Sequence, residues 1–139
     1  MGLCRAKEYL RQYSVLREYV RQLEEDIREL EEQRDSVSKQ ITGMPHASDL
    51  KDRTADLAVK LTELHEQALE QRAEAWRKRT EIRDQINSLG NWRQSRVLYL
   101  RYIAGMTWPQ IAVEMGYAAL SPLHRLHGRA LQAFEKKIF

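Results

Sequence analysis

The chain has one cysteine, three prolines and six glycines in 139 residues. Cys4 alone cannot close an intramolecular disulfide, and a zinc site lacks most of the ligands it needs, so an intracellular protein without metal or cofactor is expected. Pro45, Pro109 and Pro122 are far apart, which leaves long stretches where a helix meets no breaker. No apolar run approaches the roughly 20 residues of a membrane span. Charge arrives at Arg5 and Lys7, too early for the apolar core of a signal peptide. Position 6 is Ala rather than Ser or Thr, so Gly2 does not open a myristoylation signal, and a cytoplasmic protein away from the membrane is expected. Also missing are a phosphate-cradling glycine loop, paired carboxylates on a pocket wall and a nucleophile beside a base. An enzyme is not expected.

What is present is charge, at 31%, interleaved with 42% hydrophobic residues. That mixture excludes a disordered chain of low hydrophobicity and suits long helices with solvated faces. The net charge of +3 is unevenly spread. Residues 1–89 carry 16 Lys/Arg against 18 Asp/Glu, whereas residues 90–139 carry 7 against 2. A basic C-terminal third is what phosphate neutralisation requires, although a solvated basic face has the same composition.

From Ala6 the apolar positions alternate by three and four: Ala6, Tyr9, Tyr13, Leu16, Val20, Leu23, Ile27, Leu30, Arg34, Val37 and Ile41. Ten of these eleven are apolar, with Glu and Arg crowding the positions between them. This is a coiled-coil seam, and Tyr13, Leu16, Val20, Leu23, Ile27, Leu30 and Val37 are the residues expected to mediate oligomerisation. Gly43 and Pro45 end the helix. A second helix is expected from about Leu50 to Ser88, with Leu57, Leu61, Leu64, Ala68, Ala75, Ile82, Ile86 and Leu89 on its apolar side. Arg72 and Arg79 interrupt that side, and Leu69 and Trp76 widen it. The two matched helices predict an antiparallel coiled-coil hairpin over 1–89, too thin in the core to stand alone and therefore expected to form a homodimer.

At Gly90-Asn91 the composition turns aromatic and apolar, with Trp92, Val97, Leu98, Tyr99, Leu100, Tyr102 and Ile103, so a separate domain is expected over 90–139. Its four large aromatics, Trp92, Tyr99, Tyr102 and Trp108, are spaced as core residues. A helix over 91–104 ends at Gly105, and Thr107-Trp108-Pro109-Gln110 supplies a capping box for the next one. That helix buries Ile111, Ala112 and Met115 and stops at Gly116. A third helix is expected from Ser121, capped by that serine with Pro122 in first position, burying Leu123, Leu126, Ala130, Leu131 and Phe134. Helix, cap, short helix, glycine turn and helix is the helix-turn-helix plan.

Over Arg96–Tyr117 and Leu123–Leu131 the sequence resembles region 4 of bacterial sigma-70 factors. With the long N-terminal coiled coil and the Met44-Pro45-His46 loop, it is similar to small phage and prophage proteins of Gram-positive bacteria related to the ArpU and RinA late-transcription activators. The resemblance implies an all-α fold, a duplex-DNA-binding regulator of phage or mobile-element origin, and a recognition helix opening near Ser121. Thr107, Trp108 and Gln110, with Ser121, His124, Arg125, Gly128 and Arg129, are then the expected DNA-facing residues. One departure stands out. Six residues separate Gly116 from Leu123 where five are usual, and Ala118, Ala119 and Leu120 occupy the place of the polar groups usually offered to bases. Two alternatives follow: an adaptor that meets RNA polymerase through this domain without binding DNA, and a small-terminase-type packaging protein, in which the DNA-binding domain would more usually come first. His124 and His127 lie three apart, yet no carboxylate or thiol beside them completes a metal site.

Overall fold

A helix with an apolar stripe needs another surface to cover it, and this chain supplies several. A computed structural model describes residues 2–41 and 47–139. The helices are α1 (Gly2–Leu10), α2 (Gln12–Ile41), α3 (Ala47–Asn87), α4 (Trp92–Leu98), a π-helical turn (Tyr99–Ile103), α5 (Trp108–Met115) and α6 (Leu120–Ile138). The described residues contain no strand, and the fold is all-α as expected. Gly43 and Pro45, expected to end the first helix, lie outside the described residues.

Amides of Arg11 and Val15 donate to the carbonyls of Lys7 (3.0 Å) and Arg11 (3.1 Å), carrying the ladder from α1 into α2. The helical run therefore begins at Gly2, before the first seam residue, and α3 begins at Ala47 rather than Leu50. Asp49 in the first turn of α3 suits the positive end of the helix dipole.

Residues 17–74 form one compact unit. Its core joins Leu23 and Ile27 of α2 to Leu61 and Ala68 of α3, with Leu30 and Leu64 packed alongside. Along α2 from Glu24 to Glu31 the partners on α3 pass from Arg72 back to His65, so the two stretches run in opposite directions. The seam predicted from spacing runs through this core. Val20, Leu23, Ile27 and Val37 are buried within the single chain. Tyr13, Leu16 and Leu30 are half-buried.

The other compact unit comprises residues 1–16 and 75–139. Its core brings Ala6 and Leu10 of α1 and Ile82 and Ile86 of α3 together with Val97, Leu98, Leu100, Tyr102, Ile103, Ile111, Leu123, Leu126, Leu131 and Phe134. The division expected at residue 89/90 falls inside this unit. The reason is coverage: the short helices present more apolar surface than they shield among themselves, and α1 packs directly against α6 to close it. Tyr9 strengthens this junction, its hydroxyl lying 2.9 Å from Glu81 Oε1 and 2.7 Å from Gln85 Oε1.

The helix expected over 91–104 exists with an irregular second half. Asn91 caps α4, its side-chain oxygen accepting from the amide of Gln94 at 3.1 Å. The ladder then widens, the amide of Ala104 reaching Tyr99 O at 2.9 Å. This wider turn accompanies burial of Leu100, Tyr102 and Ile103 in succession. Tyr102 is buried and Tyr99 and Trp108 half-buried, as their spacing predicts, but Trp92 is 71% exposed. As the first residue of α4 it lies at the rim, beside Arg83, Asn87, Ser95, Arg96 and Tyr99.

Candidate nucleic-acid interface

The approach to α6 is shaped by local contacts. Thr107 caps α5 and Gln110 reciprocates: Thr107 Oγ1 accepts from the amide of Gln110 (3.4 Å), and Gln110 Oε1 accepts from that of Thr107 (2.9 Å). Pro109 sits in the first turn, where no intrahelical donor is needed. At the far end Gly116 adopts φ 76°, and the amide of Tyr117 closes the turn on Ala112 O at 2.8 Å. That left-handed conformation favours glycine, so the turn is encoded in the residue itself. Tyr117 is half-buried and receives the Arg93 guanidinium on both its hydroxyl and its ring face.

The opening of α6 departs from expectation, its cap falling two residues before Ser121. Ala119 is the N-cap and makes no side-chain cap, Leu120 is the first helical residue, and Pro122 stands third. Ser121 is therefore inside the helix and does not cap it. The displacement is permitted because the first four helical amides have no intrahelical acceptor, so a proline costs no hydrogen bond anywhere in that turn.

Trp108 organises the junction of α5 and α6. Its indole meets His124 edge-on at 4.9 Å and His127 at 4.6 Å between ring centres, and Arg101 lies over it at 4.6 Å. Arg101 also donates to Met106 O at 3.1 Å, which fixes the guanidinium. The two histidines have different fates. His127 is 7% exposed, with Nε2 2.8 Å from the Tyr102 hydroxyl, and burial lowers its pKa to about 4, helped by the charges of Lys7 and Arg101. Burial also raises the Tyr102 hydroxyl above its usual value. His127 is thus a neutral core residue, while His124 is exposed.

Of the expected DNA-facing residues, Thr107, Gln110, Ser121, His124, Arg125 and Arg129 are exposed, and Gly128 and Trp108 are half-buried. Thr107 and Gln110 each commit an oxygen to capping, and Trp108 packs against the core. Arg125 and Arg129 lie one helical turn apart on the side of α6 opposite Leu123, Leu126 and Phe134. Gln132 and Lys136 continue the same exposed face at spacings of three and four. These two were overlooked by the motif, although their register with Arg125 is visible in the sequence. Among the described residues no ion pair engages Arg125, Arg129 or Lys136, whereas Arg96 pairs with Glu114 at 3.3 Å. No group of three potential metal ligands occurs among the described residues.

Fold and surface define an all-helical chain whose C-terminal helix combines a buried apolar side with an exposed basic one. Residues 35–135 match the family described as Protein of unknown function (DUF1492). That span is well over half of the chain, and the chain belongs to this family. No curated protein and no solved structure matches it.

Proposed function

We propose that α5, the Gly116 turn and α6 form a helix-turn-helix that binds duplex DNA, and that the protein is a cytoplasmic transcriptional regulator of phage or mobile-element type. The observation that carries this reading is the exposed face of α6, where Arg125, Arg129 and Lys136 have no ionic partner among the described residues and no acidic side chain falls between Gly116 and Glu135. Such a face neutralises phosphates, and the capped short helix and fixed glycine turn set its angle. The antiparallel stretches of α2 and α3 are read as a coiled-coil hairpin for association, with a second copy of this chain as the first choice of partner. The likeness to sigma-70 region 4 and to phage late-transcription activators supports the same assignment.

Arg125→Ala together with Arg129→Ala should weaken binding to duplex DNA and reduce the slope of log affinity against log salt by about two, one for each phosphate no longer neutralised. A double variant that binds as the parent does at every salt concentration would reject α6 as the contact surface. The second reading, an adaptor to RNA polymerase, draws on one observation: Ala118, Ala119 and Leu120 are all exposed at the opening of α6.

A further inference from the structure

We infer that the opening of α6 recognises the methyl groups of thymine in the major groove, an inference that rests on the duplex-DNA reading above. The residues at the start of a recognition helix are the ones that reach base edges. Here they are Ala118, Ala119 and Leu120, all exposed, with Leu120 at 39%. These three have no side-chain donor or acceptor, and the Ser121 hydroxyl is the one polar side-chain group beside them at this opening. Placed against guanine, adenine or cytosine edges, they would strip water from polar groups and return no hydrogen bond. The thymine 5-methyl is the one apolar group that the major groove presents, and a branched side chain such as Leu120 buries it favourably.

The surroundings favour DNA over a protein surface as the occupant. Two alanines and one leucine fall far short of the roughly 800 Å² per partner that a stable protein interface uses. The next turn of the same helix brings His124, held edge-on by Trp108, and Arg125, with Arg129 beyond. The solvent side of the same helix carries Arg125 and Arg129, cations that complement the phosphates of a duplex whose groove the opening of α6 enters.

The test compares the full chain on labelled alternating duplexes of deoxyadenylate with thymidylate or with deoxyuridylate, which differ only in the methyl. A second pair uses deoxyinosinate with deoxycytidylate or with its 5-methyl form, which puts a methyl at the same place in the groove. Fluorescence anisotropy should show affinity falling about fourfold for each methyl removed from beneath the helix, and rising when cytosine is methylated. Leu120→Ser, a surface change whose folding circular dichroism can verify, should erase both differences, while Arg125→Ala should weaken all four duplexes alike. Equal affinity for the thymine and uracil duplexes overturns the inference and leaves the DNA-binding reading intact. A difference that persists in Leu120→Ser comes from the duplex itself and also overturns it. Failure to bind any duplex overturns the DNA-binding reading first, and this inference with it.

Discussion

His127 and His124 stand three residues apart, and only the helical register separates their roles. Leu123, Leu126, Ala130 and Leu131 define a buried face that includes position 127 and leaves 124 outside, a distinction legible in the sequence once the helix is drawn. His127 has a folded pKa of about 4, below the ordinary value near 6.5. Between those values the unfolded chain binds a proton that the folded chain refuses, so stability rises with pH across this window. It is complete above about pH 6.5 and falls away towards pH 4, by on the order of 3 kcal/mol. Thermal melts from pH 8 to pH 4.5 should show this slope, and His127→Phe should flatten it. Gly128 tells the opposite story, since a Cβ there would meet no atom within 4 Å. Gly128→Ala should stabilise the chain by about 1 kcal/mol through helix propensity alone, readable as a higher melting temperature. A lower one would show that Gly128 serves the fold in some other way.

At the scale of elements, caps and turns were the legible features. The Thr107-Gln110 box and the Gly116 turn sit where their residue types require them, because each is a local contact between neighbours in sequence. The opening of α6 was less legible. Pro122 is compatible with several positions in a first turn, and nothing in Tyr-Ala-Ala-Leu-Ser-Pro singles out the alanine that became the N-cap. Ser121→Ala should accordingly change stability by less than about 0.5 kcal/mol in denaturant titration, as for an exposed surface site. A loss near 1 kcal/mol would indicate a serine cap after all. The π-helical turn at Tyr99–Ile103 was not legible either, since widening one turn leaves no periodic signature over so few residues.

At the scale of the molecule, periodicity revealed which faces are apolar and could not reveal what covers them. Leu10 lies off the seam defined by Ala6, Tyr9 and Tyr13, yet it is fully buried because α6 covers it. The change of composition at Gly90 marks a turn, whereas the core runs through it to Ile82, Ile86 and the N-terminal helix. Leu10→Ala should therefore destabilise the helices of the C-terminal region, by about 2–5 kcal/mol. Melting followed by tryptophan fluorescence would report this at Trp108, whose indole packs on His127. Residues 90–139 expressed alone lack four fully buried core residues, Ala6, Leu10, Ile82 and Ile86, and should melt without a cooperative transition. A sharp transition in that fragment would show that its own side chains suffice.

The pairing of α1 with α6 also imposes an order of events in time. Leu10 leaves the ribosome well before Phe134, by roughly 6–25 s at 5–20 residues per second. Throughout that interval α1 lacks its cover from α6, while α2 and α3 can already form the contacts between them. Folding of the C-terminal core must then close a loop spanning most of the chain, which makes it the late and entropically demanding step.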